Sequence, residues 1–406
     1  MRKTAKRVRH TLIPRLLGIQ PKVEVYVSLA DPHCFMLIQA LMRIEHKYRV
    51  GFSFYLVTDS LPGTTVAPDL HRRWALEDAN LIAELYGFER VSSLPNSSAI
   101  ISGQQLWQLT DKSINAIFEL YRQAWSDGFN AKYHPSTPVI NHIIKNQQRL
   151  IQKGHYQSGA MFFDGQWFVG VDRLSCLETH LFNAGLSVDN LDCAFTNNEL
   201  QFVEPEASWQ APEHPIEIYL SLRSPYSYVG FMKALRLSKH YGVELVIKPV
   251  LPLMMKGLHV PHNKQKYVYI DAHREASKAD IPFSSFTDPI GKGIVNCYHL
   301  YGYAKSQNKA KQYIESVFKA IYVDGIDVAD EENIGKICEK LEIDYQAAWL
   351  YGETDDWQAW ADENFAEMED QGLWGVPCVK YGDSIYWGQD RLPFIEKAIL
   401  AEITAQ

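Results

Sequence analysis

The chain has 406 residues, 46% of them hydrophobic and 22% charged, with a net charge of −8, a composition typical of a globular protein of two or more domains. No apolar run approaches the ~18 residues that a membrane span needs. The six cysteines are scattered, without a C-x-x-C or a zinc-type spacing. We therefore expect no membrane or metal binding, and a reducing compartment, the cytoplasm, as the location.

A basic arm is predicted over residues 1–19. It carries six Lys or Arg side chains and no acidic one, which leaves a net charge of −14 on the remainder. An acidic body argues against nucleic acid as a partner. The arm lacks the apolar core of a secretory signal. We expect a solvated or docked tail, with an organelle transit peptide as the alternative.

The chain contains an internal repeat. Residues 23–35 (VEVYVSLADPHCF) align with residues 216–228 (IEIYLSLRSPYSY) at an offset of 193, and residues 154–174 align with residues 372–392 at an offset of 218. Two matched blocks in the same order indicate a tandem duplication. The second copy is 25 residues longer in its middle.

The repeat predicts a first domain over residues 20–202, a Pro- and Glu-rich linker over 203–215 and a second domain over 216–406. Each copy is predicted to run strand, helix, strand, a long helical middle, a strand hairpin and a final helix. In the second copy, Gly382 and Asp383 mark the hairpin turn. The final helix is predicted from four apolar positions on one face: Leu392, Ile395, Ile399 and Ile403. This order indicates an α/β protein of two tandem thioredoxin-like domains, each with a helical insertion.

The junction at Ser224 is the first candidate site. The alternating run at 216–220 predicts a half-buried strand. Ser224 and Pro225 then predict a helix start, because serine caps free N–H groups and proline fits the first helical position. A hydroxyl at this junction is either only a cap or part of a reaction centre.

Four spaced motifs cover most of residues 216–400. They are SPYSYVGF from Ser224, a K-x-x-Y pair at Lys266 and Tyr269, GLWGVP ending at Pro377, and WGQDRL around Gln389. Together they resemble the 2-hydroxychromene-2-carboxylate isomerase and kappa-class glutathione transferase family. The resemblance implies DSBA-like thioredoxin domains, glutathione as cofactor, and a glutathione-dependent isomerase or transferase activity.

The resemblance places the glutathione sulfur at Ser224. A thiol of pKa ~8.5 is only a few per cent thiolate at pH 7, and the thiolate is the nucleophile. Lowering this pKa by two units requires about 2.7 kcal/mol. A helix N-terminus supplies ~0.3–1 kcal/mol and a hydrogen bond to a charged acceptor ~1.5–3 kcal/mol. Ser224 is therefore the candidate catalytic residue.

Six further residues are implied as glutathione contacts: Asn263, Lys266, Val376, Pro377, Gln389 and Asp390. Val376–Pro377 matches the family's cis-proline, beside which the tripeptide can pair as an additional strand. Gln389 and Asp390 open the last helix, where N–H groups suit the γ-glutamyl carboxylate and Asp390 can accept from its ammonium.

Each of these contacts has a structural alternative. Asn263 and Lys266 fall in the helical insertion, where the stretch VPHNKQKY departs from the family's proline-rich version, and Lys266 is equally explained as a solvated lysine. A trans-proline in a turn is the alternative for Pro377. Ordinary helix capping is the alternative for Gln389 and Asp390.

The first copy differs at the aligned positions. Asp31 stands for Ser224, Cys34 for Ser227 and Gly159 for Pro377. The stretch DPHC resembles the Cys-Pro-His-Cys of disulfide-forming oxidoreductases without its first cysteine, so the two-cysteine route is unavailable. An ionised Asp31 would repel a thiolate. We expect a degenerate domain, either structural or a modified binding surface.

Three hypotheses of function follow. The first is a glutathione-dependent isomerase or transferase that acts on a small electrophile, such as an aromatic or unsaturated carboxylate. The second is a thiol–disulfide oxidoreductase that uses Cys34 or Cys378, and the third a non-catalytic binding scaffold. Because relatives in the family pair as dimers, the two halves are expected to form an internal pseudo-dimer, which predicts a monomer.

Overall fold

A computed structural model describes residues 20–59, 65, 67–126, 137–188, 193–195, 199–206 and 208–405. The basic arm predicted over residues 1–19 lies outside the described residues. The chain divides into two compact units between Asn198 and Glu199. Within the described ranges, no helix combines the length and the apolar character that a membrane crossing requires.

The first unit is built on a four-stranded sheet of order β2-β1-β3-β4, in which β1 runs parallel to β2 and antiparallel to β3. Its described elements are, in chain order, β1 (Lys22–Val27), α1 (Pro32–Ile44), β2 (Gly51–Leu56), α2 (Pro68–Tyr86), α3 (Ser97–Leu109), α4 (Ile114–Ala124), α5 (Thr137–Gln152), β3 (Ala160–Phe163), β4 (Gln166–Val169) and α6 (Leu174–Asn183).

The second unit repeats this sheet in the order β6-β5-β7-β8, with the same parallel and antiparallel pairs. Its described elements are β5 (Ile216–Leu220), α7 (Pro225–Tyr241), β6 (Leu245–Pro249), α8 (His262–Lys278), α9 (Lys292–Ser306), α10 (Ala310–Lys319), α11 (Glu331–Lys340), α12 (Tyr345–Gly352), α13 (Trp357–Asp370), β7 (Cys378–Tyr381), β8 (Ser384–Trp387) and α14 (Leu392–Ile403). Both units therefore have the predicted thioredoxin-like arrangement with a helical insertion between their second and third strands.

The closing hairpin and helix of the second unit form where the sequence predicts them. β7 pairs with β8 across a turn at Gly382, whose φ of +54° lies in the left-handed region that favours glycine. The four apolar positions predicted for the last helix are all buried in the core of the unit. Burial of one apolar stripe against the sheet explains why α14 closes the fold.

The segment predicted as a linker lies in the second unit, together with residues 199–202, which the repeat predicts to be the end of the first domain. The backbone N–H groups of Gln201 and Phe202 donate to the buried Glu396 carboxylate of α14 at 2.7 and 2.6 Å. Phe202 and Trp209 pack partly buried against the core of this unit. These contacts hold the entry to β5 in place.

Candidate active site

Ser224 caps α7 as its sequence predicts. Its Oγ accepts a hydrogen bond from the Ser227 N–H at 3.1 Å, and Pro225 follows in the first turn. The side chain is half-buried. Within the part of the chain that the structure describes, the Ser224 hydroxyl has no acceptor for its own proton. The hydroxyl can therefore donate to a ligand placed at the N-terminus of this 17-residue helix.

The start of α7 is held to α8 by a second contact. The Tyr226 hydroxyl donates to Asp271 Oδ2 at 2.7 Å, and the fully buried Asp271 carboxylate also pairs with Arg274 at 2.9 Å. One residue further, Ser227 Oγ accepts from the Ser221 N–H at 3.2 Å. These bonds fix the position of the helix terminus relative to the strand before it and the insertion.

Pro377 lies against the same helix. The Val376–Pro377 peptide bond is cis, which confirms the conformation that the sequence predicts. A Cβ at Gly230 of α7 would lie only 3.0 Å from Pro377 Cγ and 3.5 Å from Gln389 Cβ. Glycine at 230 is therefore what allows both residues to approach the helix that Ser224 caps. The Pro377 carbonyl accepts from the Gly388 N–H at 2.8 Å.

Gln389 is buried and held by three side chains. Its amide oxygen accepts from Lys233 Nζ, and its amide nitrogen donates to Glu275 Oε2 at 3.3 Å and to Asp390 Oδ1 at 2.6 Å. The Gln389 side chain is thus engaged within the protein. Asp390 is half-buried at the start of the turn that leads into α14.

The structure places the two predicted residues of the insertion in different surroundings. Asn263 is half-buried in the first turn of α8, whereas Lys266 is exposed. At 100° per residue, Lys266 points away from the face that buries Asp271 and Glu275. The role of Lys266 as a glutathione contact stays a prediction.

Lys264 is a further candidate, next to the predicted Asn263. It lies on the same face of α8 as Tyr267 and Asp271, and burial lowers the pKa of its ammonium. The K-x-x-Y spacing occurs at Lys264 and Tyr267 as well as at Lys266 and Tyr269. Tyr267 is buried, and the spacing alone does not distinguish the two pairs.

The two cysteines proposed for disulfide chemistry are buried. Burial raises the pKa of the Cys378 thiol, which donates to the Gly375 carbonyl at 2.8 Å. Burial and the neighbouring Asp31 charge raise the pKa of the Cys34 thiol, which donates to that carboxylate at 3.2 Å. Both sulfurs are therefore held as thiols, the less nucleophilic form.

In the first unit, the Asp31 carboxylate occupies the position of the Ser224 hydroxyl. It caps α1 through the His33 N–H at 2.9 Å and also accepts from Ser158 Oγ at 2.7 Å. Burial alone would raise its pKa, but hydrogen bonds from His33, Ser158 and Cys34 and the His33 charge lower it to about 2. A Cβ at Gly159 would lie 3.6 Å from this carboxylate, so the aspartate lies close to the residue that aligns with Pro377.

His33 balances this added charge. Its ring lies between Asp31, 3.4 Å from Nδ1, and Asp78, 2.9 Å from Nε2. Burial would lower the pKa of the imidazole, but the two carboxylates raise it to about 10. The His33–Asp78 contact is the counterpart of Tyr226–Asp271, because both pairs are related by the offset of 193 residues.

Known proteins resemble part of this chain. Residues 215–400 match the DSBA-like thioredoxin domain. A 2-hydroxychromene-2-carboxylate isomerase of Sphingobium xenophagum is 26% identical over 193 residues, which cover 46% of this chain and 97% of the relative. The enzyme of the same name from Pseudomonas sp. (strain C18) is 28% identical over 192 residues, which cover 45% and 89%.

A solved structure of 2-hydroxychromene-2-carboxylate isomerase aligns with a TM-score of 0.40 and 24% identity, and covers 45% of this chain and 93% of that one. Each of these alignments spans less than half of the present chain. Residues 215–400 are thus similar to the DSBA-like thioredoxin domain, and the chain is similar over part of its length to 2-hydroxychromene-2-carboxylate isomerases.

Proposed function

We propose that the second unit is a glutathione-dependent isomerase or transferase in which Ser224 stabilises the glutathione thiolate. The observation that carries this proposal is the Ser224 hydroxyl at the N-terminus of α7. Its oxygen is engaged by the Ser227 N–H, and its proton has no acceptor among the described residues. A thiolate beside it would receive a hydrogen bond and the field of the helix terminus.

The energies involved are sufficient. Shifting a thiol pKa by two units requires about 2.7 kcal/mol. The helix terminus contributes ~0.3–1 kcal/mol, and the hydroxyl ~1.5–3 kcal/mol as a donor to a charged acceptor. The two contributions together reach the requirement, whereas the helix alone does not.

The remaining predicted contacts can bind the rest of the tripeptide. The backbone at Val376 and Pro377 directly precedes β7 and can pair with an extended ligand. Asp390 can accept from the γ-glutamyl ammonium, and the N–H groups after Gln389 can donate to its carboxylate. Asn263 and Lys266 extend this surface onto α8, where the half-buried Lys264 offers a second cation.

The substrate class follows from the chemistry and from the relatives. A thiolate adds to an electrophilic carbon, and collapse of the adduct gives isomerisation, whereas its retention gives transfer. The relatives carry the name of a carboxylate isomerase, which supports a small aromatic or unsaturated carboxylate. A cation near the thiolate, Lys264 or Lys266, suits that carboxylate.

The test is the ultraviolet absorbance of thiolate when glutathione binds at pH 7. We expect the wild-type protein and Ser277→Ala, which removes an exposed serine of α8, to show the band. Ser224→Ala should bind glutathione with most of this band lost, because its hydrogen bond is the larger contribution. Equal absorbance in the wild type and Ser224→Ala would contradict the role of Ser224.

The disulfide hypothesis is disfavoured by the burial of Cys34 and Cys378. Neither the wild type nor Cys34→Ala is expected to be trapped as a mixed disulfide with glutathione. Calorimetric titration distinguishes the scaffold hypothesis from a glutathione-dependent enzyme. A pure scaffold would give neither heat nor a thermal shift with glutathione.

A further inference from the structure

A buried polar network distinguishes the second unit from the first. It joins Lys233 of α7, Glu275 of α8 and Gln389 at the entry to α14. Glu275 and Gln389 are buried, and Lys233 is half-buried. Through Asp390, which accepts from the Gln389 amide at 2.6 Å, the network reaches the predicted γ-glutamyl end of the site.

The first unit packs apolar side chains at the same positions. By the two offsets of the repeat, Ala40 stands for Lys233, Ile82 for Glu275 and Val171 for Gln389, and all three are buried. The fold therefore does not require polar groups at these positions. Buried charges are costly to desolvate, and apolar replacements of similar volume often stabilise a protein.

We propose that Lys233 and Glu275 are positioning residues, which fix the Gln389 amide so that Asp390 and the adjoining N–H groups face the γ-glutamyl end of glutathione. This inference rests on the proposed function. Lys233 holds the amide oxygen and Glu275 accepts from the amide nitrogen, so only one orientation of the Gln389 side chain satisfies both. In that orientation its nitrogen also donates to Asp390 Oδ1 at 2.6 Å, which restrains that carboxylate.

The probe is S-methylglutathione, which keeps the γ-glutamyl group but has no thiol. Lys233→Met and Glu275→Gln are each expected to weaken its binding about tenfold by calorimetry. The matched control is Lys239→Met, which removes an exposed lysine of the same helix and should leave the affinity unchanged. The thiolate absorbance per bound glutathione at saturation should stay at the wild-type value in all three variants, because Ser224 is untouched.

A fourth variant carries the residues of the first unit, K233A/E275I/Q389V. It is expected to unfold at or above the wild-type temperature and to bind S-methylglutathione much more weakly. A general disturbance of α7 would instead lower both the melting temperature and the thiolate absorbance, which would overturn the positioning role.

Unchanged affinity for S-methylglutathione in Lys233→Met and Glu275→Gln would overturn the positioning role and leave the role of Ser224 standing. A wild type that binds S-methylglutathione but gives no thiolate band with glutathione would overturn the role of Ser224 and leave the positioning role standing. A wild type that binds neither ligand would overturn both.

Discussion

Asp31 and Ser224 occupy the same position, directly before the first helix of each unit. In the second unit the position carries a hydroxyl whose oxygen accepts from the Ser227 N–H. In the first unit the carboxylate itself is the anion, and three groups of the unit, the His33 N–H, Cys34 Sγ and Ser158 Oγ, donate to it. We expect this one residue to decide whether the helix terminus can receive the anion of a ligand.

Removal of the Asp31 carboxylate is expected to destabilise the first unit. Asp31→Ala deletes a helix cap and leaves the His33 cation with one carboxylate instead of two. We expect a loss of about 1–3 kcal/mol in the free energy of unfolding, measured by urea denaturation. Asp69→Ala, which removes an exposed aspartate from the first turn of α2, is the control and should cost much less.

The difference in the free energy of unfolding between the wild type and Asp31→Ala should also depend on pH. The pKa of Asp31 is about 2 in the folded protein and ~3.9 in the unfolded chain. Its contribution is therefore present above pH ~4 and is lost as the pH falls toward 2. The pKa of His33 is raised to about 10 from ~6.5, so its contribution is present below pH ~6.5 and is lost as the pH rises toward 10. A difference between wild type and Asp31→Ala that grew on acidification would contradict this account.

Among the elements, the first helix of each unit meets different residues at the aligned positions. In the second unit Pro377 packs against Gly230 of α7, whose Cβ would lie only 3.0 Å from Pro377 Cγ. The repeat aligns these two residues with the buried Leu37 and with Gly159, and a Cβ at Gly159 would meet Asp31 and Cys34 instead. The close packing of α7 with Pro377 and Gln389 depends on the glycine at 230.

Gly230→Leu should displace Pro377 and Gln389 while α7 still forms. The added side chain has no room, since even a Cβ would lie 3.0 Å from Pro377. We expect destabilisation by about 1–3 kcal/mol and weakened glutathione binding. Gly335→Ala in α11 is the control, because the nearest atom to its Cβ lies 3.9 Å away and alanine favours a helix by roughly 0.5–1 kcal/mol. Glutathione affinity that survived Gly230→Leu would argue against a site at this contact.

For the whole molecule, the asymmetry of the units predicts one glutathione per chain. Only the second unit has a serine at the helix start, whereas the first has a carboxylate held ionised by its neighbours. Calorimetric titration should therefore give a stoichiometry of one, and Asp31→Ala should leave it at one. A stoichiometry of two in the wild type would show that the first unit also binds the tripeptide.

The internal repeat also predicts the state of association. The family resemblance implies that single-domain members pair as dimers, so two copies in one chain are expected to form an internal pseudo-dimer. We expect light scattering to give the mass of one chain over a tenfold range of concentration. A mass of two chains would contradict an internal pseudo-dimer.

The repeated α/β architecture and the helix start at Ser224 can be predicted from the chain alone. Periodicity of two and of 3.6 residues is a local property, and capping by Ser224 and Pro225 depends only on neighbours in the chain. The hairpin at Gly382 and the buried stripe of α14 follow for the same reason. These features require no knowledge of distant contacts.

Contacts between side chains of different elements become visible only in the folded chain. The partial burial of Lys264 and the exposure of Lys266 depend on the face that α8 buries, and the contact of Gln389 with Lys233 and Glu275 joins three elements far apart in sequence. The close approach of Pro377 and Gln389 to Gly230 likewise joins residues about 150 positions apart. Side-chain partners across elements are set by the mutual packing of those elements, which no local pattern encodes.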